Sequence, residues 1–241
     1  MSAPPVVTVD GPAGSGKTTL GRRLAAALQL PFIDTGLFYR AVTVAVVAAG
    51  LDAADPERIA QLARRTTIEI NTTPADASWE LRINGDDPGE SIRDPRHALL
   101  LSTVSQIPGV RSHLLGLQRA PAGGGAVAVG RDCGTVVFPG ARVKLYLQAS
   151  ETLRAARRSA ELERRGSAVD HGTIDSEIAG RDRTDAPSLS PAAGAIVIDT
   201  GTRGIDEMVA IALRHCAAAG VVGKAADGTG RAAGDTAEAL R

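Results

Sequence analysis

Residues 6–19 hold the densest chemistry of the chain. The apolar, β-branched run Val6-Val7-Thr8-Val9 leads through Asp10 into Gly11-Pro12-Ala13-Gly14-Ser15-Gly16-Lys17-Thr18, a G-x-x-x-x-G-K-T spacing, with Thr19 after it. Glycine lets the backbone take positive φ and approach an anion, so successive N–H groups can converge on phosphate oxygens. The helix that follows adds the positive end of its dipole. In such a loop Lys17 reaches the β and γ phosphates as a point charge, and the Thr18 hydroxyl holds Mg²⁺ between them. Leu20, Leu24 and Leu28 recur every fourth residue, as one face of that helix requires.

A second group of chemically able residues is arginine. Gly130-Arg131-Asp132 follows an apolar run, Arg40 lies just after Asp34-Thr35-Gly36, and Arg154, Arg157 and Arg158 stand at i, i+3 and i+4. Guanidinium forks suit a further phosphate group better than lysine does. On spacing alone a solvated helix face explains the Arg154 triplet equally well, and a structural salt bridge explains Asp132. Guanine-specific switches read their base with Asn-Lys-x-Asp. The only asparagines here, Asn71 and Asn84, are not followed by lysine, so that class is excluded.

The 241 residues suffice for one large α/β domain. Lys plus Arg equals Asp plus Glu at 27 each, so nothing draws the whole chain to nucleic acid or to a membrane, and basic chemistry must be local. Cys133 and Cys216 are too few for a disulfide framework, which with the lack of a secretory signal points to the cytoplasm. The four histidines show no metal-ligand spacing. No apolar run approaches the roughly 18 residues of a membrane span.

The elements that must position these residues alternate. Strands are expected at 6–9, 30–33, 126–129, 143–147 and 195–198, with helices after the loop through Leu20, Leu24 and Leu28 and at about 35–49 (Thr35 as cap), 56–64, 95–107, 110–119, 150–165 and 205–219. This is an α/β arrangement: a five-stranded parallel sheet with helices on both faces. Residues 66–71 and 78–83 alternate apolar and polar around a turn and read as a small antiparallel insert. The Gly, Ala and Asp-rich residues 221–241 read as a disordered tail.

The chain resembles the bacterial cytidylate kinases of the P-loop nucleoside monophosphate kinase group. The resemblance runs from about Val6 to about Thr200 and rests on residues 11–18, Asp34-Thr35-Gly36 with Tyr39-Arg40, Gly85-Asp86-Asp87, Ile92-Arg93, Ser105, Val110-Arg111, Gly130-Arg131-Asp132, Gly134 to Pro139, and Arg181-Asp182 with Asp185. It implies the kinase fold of that group, with the antiparallel insert in the monophosphate-binding region and a helical lid. A single domain over 1–220 is then expected, with a core of about 5–40, 120–150 and 193–219, a monophosphate-binding insert of about 41–119, and a lid of about 150–190.

The implied activity is phosphorylation of CMP and dCMP by ATP with Mg²⁺, in a cytoplasmic monomer with small-molecule partners and no nucleic acid or membrane. A kinase of another monophosphate, or a weakly active nucleotide-binding relic, is the alternative. Gly11, Pro12, Ala13, Gly14, Ser15, Gly16, Lys17, Thr18 and Thr19 are expected to bind ATP, with Thr18 on Mg²⁺. Asp34, Thr35, Gly36, Tyr39, Arg40, Ser105, Arg111, Arg131, Asp132, Arg181 and Asp185 are expected to bind CMP. Lys17, Arg131, Asp132, Arg154, Arg157 and Arg158 are expected to stabilise the transferred group. The chain departs from the family pattern at Val129, where an acid is usual, and after Asp185, where about four residues and an arginine are missing. Glycine also replaces a common aspartate at Gly140 and Gly194. Asp132 or Asp34 is expected to take over from the missing acid, and Arg183 from the missing arginine.

Overall fold

The structure, a computed structural model, describes residues 4–73, 77–164, 179–180, 183–186 and 189–222, without the side chains of 161 and 162. Its sheet has the order β2-β5-β1-β6-β7, from β1 (Val6–Asp10), β2 (Phe32–Asp34), β5 (Ala126–Gly130), β6 (Val143–Gln148) and β7 (Ile196–Asp199), every pairing parallel. β3 (Ile68–Thr73) and β4 (Ser78–Ile83) form a separate antiparallel pair. The helices are α1 (Lys17–Leu28), α2 (Thr35–Ala48), α3 (Pro56–Arg65), α4 (Ala98–Gln106), α5 (Pro108–Arg119), α6 (Glu151–Arg164) and α7 (Ile205–Ala218).

The near-continuous apolar strands are explained by burial on both faces. Strand side chains alternate, so Val7, Val9, Phe32, Val127 and Val129 pack with Leu20, Leu24 and Leu28 of α1 and Met208, Ala212 and Cys216 of α7. Val6, Ile33, Ala126 and Ala128 face the other way, toward Leu37 and Val42 of α2, Ile59 of α3, Val104 of α4 and Leu114 of α5. On β1, Thr8 and Asp10 share that second face. From β1 the chain crosses to the β2 edge, then returns through β5 and passes β1 to reach β6 and β7, so the crossover direction reverses once. A crevice outside the strand carboxyl ends is where such a sheet binds ligands.

Several boundaries differ from expectation for local physical reasons. Asp34, not Thr35, caps α2: its Oδ1 accepts from the Gly36 N–H at 3.0 Å, while the Thr35 hydroxyl donates to the Val129 carbonyl at 2.9 Å. The helix expected from Pro95 begins as a 3₁₀ turn, Pro95–His97, capped by Asp94, and a second 3₁₀ turn, Gly89–Arg93, precedes it. α5 starts earlier than expected, with Pro108 in its first turn, where the missing N–H costs nothing. Cys133–Val137 form a turn of π-helix that periodicity does not reveal. Val221 is not tail: its N–H returns to the Cys216 carbonyl at 2.8 Å after Gly220 takes φ 69°, and its side chain is buried. The rest of the expected tail, from residue 223, lies outside the described residues.

Candidate active site

A cleft of about 990 Å³ opens at the carboxyl ends of β1, β2 and β5. The β1 end supplies the phosphate-loop residues Ala13, Gly14, Gly16, Lys17, Thr18 and Thr19. Gly11 and Gly14 have φ of 146° and 73°. A Cβ on Gly11 would stand 2.4 Å from the Leu147 carbonyl oxygen, and one on Gly14 2.9 Å from that of Arg154, so neither position admits another residue. Gly16 is the N-cap of α1 and no side chain caps the helix, which leaves its first N–H groups directed at the cleft. Gly11, Pro12 and Ser15 shape the loop without lining the cleft. Lys17 is 9% exposed and its Nζ donates to the Pro12 carbonyl at 2.5 Å.

Arg154 and Arg157 donate to backbone and hydroxyl oxygens beside this loop, whereas Arg23 of α1 pairs with Asp206 at 2.6 Å. Arg154 does not line the cleft: buried, it donates to the Ala13 carbonyl from Nη1 and to the Ala149 carbonyl from Nε, both at 3.2 Å, strapping α6 to the loop. Arg157 lines the cleft and donates to the Thr200 hydroxyl and carbonyl at 2.8 and 2.7 Å. Arg158 lines it as well.

The opposite side is assembled from separate segments. Asp34, Thr35, Gly36, Tyr39 and Arg40 come from the β2 end and α2, Ser105 from α4, Arg111 from α5, and Gly130, Arg131 and Asp132 from the β5 end. Asp185 also lines the cleft; Arg181 lies outside the described residues, and Arg183 is not among the lining residues. Here the cations meet carboxylates. Arg111 Nη2 is paired with Asp132 Oδ2, and Arg131 Nε donates to Asp185 Oδ2 at 2.7 Å. The Arg111 guanidinium also stands 6.0 Å from the Tyr39 ring centroid. Burial pushes the Tyr39 phenol above its ordinary value, and the Arg111 charge opposes that rise.

Sequence reasoning missed several lining residues. Arg22 and Arg23 follow the loop on α1, Arg164 ends α6, Arg203 precedes α7, and Ser102 sits one turn before Gln106 on α4. Only the i, i+3 spacing of Ser102 and Ser105 carried a signal for the last. Gln118 was missed too: fully buried on α5, it donates to the Thr35 carbonyl at 3.3 Å and bonds Tyr39 from behind. Val129 lies on the α1 face, 2% exposed, and its Cγ1 occupies the space a Cβ on Gly21 would need. Lys17 and the ten arginines 22, 23, 40, 93, 111, 131, 157, 158, 164 and 203 line the cleft against three carboxylates, Asp34, Asp132 and Asp185. In a chain with equal numbers of acids and bases, positive charge is concentrated at this one place, as polyanionic ligands require.

Comparison with known proteins agrees with this geometry. Residues 7–218 match the family model described as Cytidylate kinase, which takes in both loops and the insert. A Cytidylate kinase of Pelotomaculum thermopropionicum is 43% identical over 216 residues, 87% of this chain and 94% of that protein. One of Syntrophotalea carbinolica is 43% identical over 209 residues, 85% and 88% of the two chains. One of Mycobacterium avium is 41% identical over 206 residues, 83% and 90%. A likeness that covers nearly all of each relative, and includes every strand end that borders the cleft, leaves one conclusion: the chain belongs to the cytidylate kinase family.

Proposed function

We infer that the chain transfers the γ-phosphoryl group of ATP to CMP, and to dCMP, in pyrimidine nucleotide metabolism. The observation that carries this reading is one cleft in which a phosphate loop at the end of β1 faces the Arg131–Asp132 loop at the end of the adjacent β5, with Asp10 and Gly130 in register. Two phosphate-binding elements fixed on paired strands are what in-line transfer between two nucleotides needs, because catalysis of this reaction is positioning and charge neutralisation.

The loop residues 11–19 bind the ATP polyphosphate, and Lys17 stabilises the charge on the transferred group. Arg157 and Arg158 add charge from the α6 side, while Arg154 acts by holding the loop. Arg40, Arg111 and Arg131 hold the acceptor phosphate and base side, with Asp132 and Asp185 orienting the guanidinium groups and the sugar. The insert of about 41–119 is read as the monophosphate-binding part; of the expected lid of about 150–190, residues 165–178, 181–182 and 187–188 lie outside the described residues. Thr18 lines the cleft, and no cluster of three metal-ligating side chains exists among the described residues. That donor set fits Mg²⁺, which keeps several waters and binds through substrate phosphates rather than a protein cage. The ion supplies charge neutralisation at the phosphates.

The working unit is read as a monomer acting in the cytoplasm, where ATP and CMP meet. Among the described residues no helix is long and apolar enough to cross a membrane. The test is ADP release with ATP, Mg²⁺ and a panel of monophosphates. CMP and dCMP should give the highest kcat/KM; faster turnover of UMP, AMP or GMP, or none with CMP, overturns the reading.

A further inference from the structure

Asp10 is the buried carboxylate for which the phosphoryl-transfer reading has no use. It ends β1, immediately before the first glycine of the phosphate loop, and is 5% exposed. No ion pair to it is found among the described residues. Instead its Oδ1 accepts from the Cys133 N–H at 2.8 Å and its Oδ2 from the Gly134 N–H at 2.7 Å. Those two N–H groups open the π-helical turn Cys133–Val137, whose own bonds wrap around the Asp132 carbonyl: Val136 donates to it at 2.8 Å and Val137 at 3.2 Å. The backbone of Asp132 is therefore clamped from within by the turn, and the turn is clamped from below by Asp10.

The chemistry of the clamp requires a carboxylate. Asparagine has one accepting oxygen, and its amide group would face an N–H. The fit is close as well: a Cβ on Gly134 would stand 3.2 Å from Asp10 Oδ2 and 3.0 Å from the Thr8 hydroxyl oxygen. Burial raises the Asp10 carboxyl above its ordinary range, with the two N–H groups opposing the rise. A buried charge of this kind is costly unless each oxygen is satisfied, and a hydrophobic residue would hold two strands together without that cost.

We propose that Asp10 is a positioning residue for phosphoryl transfer, a strut that fixes Arg131, through the turn that follows it, relative to the phosphate loop that begins one residue after Asp10 itself. The proposal rests on the reading of the cleft as a two-nucleotide site. Because misplacement by about 1 Å is worth roughly 10²-fold in such a reaction, small movements of the acceptor loop are enough to matter. The strut acts on the acceptor side, although in sequence it abuts the donor loop.

The test is Asp10→Asn in the wild-type and Arg131→Ala backgrounds, with three measurements: kcat/KM for CMP, affinity for ATP, and folding by circular dichroism. In the wild-type background kcat/KM for CMP should fall about tenfold or more, with ATP affinity within about twofold. In the Arg131→Ala background the further loss should shrink below about threefold, because the group being positioned is gone. Equal weakening of ATP and CMP, an undiminished loss in the Arg131→Ala background, or no loss at all overturns the proposal. Should Asp10→Asn fail to fold, Gly134→Ala, which presses on the same hydrogen bond, is judged by the same criteria. CMP-dependent ADP release by the wild type is the control: its absence refutes the reading of the cleft, whereas its presence beside an indifferent Asp10→Asn refutes the strut alone.

Discussion

The two sides of the cleft solve the same problem, holding phosphate, with opposite wiring. On the donor side Lys17 donates to the Pro12 carbonyl, Arg154 to the carbonyls of Ala13 and Ala149, and Arg157 to the hydroxyl and carbonyl of Thr200. These bonds fasten the three cations to the backbone. On the acceptor side Arg111 is paired with Asp132 and Arg131 with Asp185, so a large part of the charge is already compensated within the protein. The donor-side bonds to backbone fix where a cation sits, and the acceptor-side pairs fix how it is turned. A carboxylate partner fixes a guanidinium plane and direction, at the expense of field strength.

The largest expected effect lies on the donor side. Lys17→Ala should lower kcat by on the order of 10²-fold or more, since its charge acts on the transition state, while leaving the melting temperature near that of the wild type. A turnover within threefold of wild type would remove the loop from the chemistry. Next in size, Arg131→Ala and Arg40→Ala should raise KM for CMP and leave KM for ATP nearly unchanged, each removing a charged hydrogen bond worth roughly 1.5–3 kcal/mol. A rise in KM for ATP alone would mean that the two sides have been assigned in reverse. Added salt should weaken ATP binding more steeply than CMP binding, because ATP brings more negative charge for screening to act on.

The difference between the sides also governs what the sequence could tell. The donor loop is one contiguous stretch whose geometry comes from its own glycines, so Gly11 to Thr19 are legible without a fold. The sheet is equally legible, since burial on both faces writes itself as apolar runs. The acceptor side joins residues 34–40, 105, 111, 130–132 and 185, which only topology brings together, and the resemblance to a family did for these what spacing does for the loop. Neither route found Asp10, because its two backbone N–H donors lie more than a hundred residues away and carry no side-chain signature. Residue 129 shows the remaining gap: its place at a strand end was legible, but its burial on the α1 face depends on where Gly21 and Phe32 lie. Nor could helical spacing separate Arg154, which props the loop, from Arg157 and Arg158, which line the cleft.

The smallest expected effect concerns Tyr39, which reports whether the acceptor side is as self-compensated as its ion pairs imply. Burial raises the phenol above its ordinary value of 10.0, and the Arg111 charge beside the ring pulls it back down. Because the folded-state value is raised, the neutral phenol contributes stability that is complete below the ordinary value. That contribution is lost as pH rises through the raised one. Absorbance titration of the wild type against Tyr39→Phe isolates this tyrosine from Tyr146, the other one in the chain. Tyr39→Phe should flatten the alkaline limb of the stability profile. Asp132→Asn removes a negative charge that disfavours the phenolate, so the Tyr39 ionisation should move toward lower pH. If Asp132→Asn instead leaves the Tyr39 ionisation in place, the Arg111 charge is not shared between the carboxylate and the phenol, and the acceptor side is less compensated than its geometry implies.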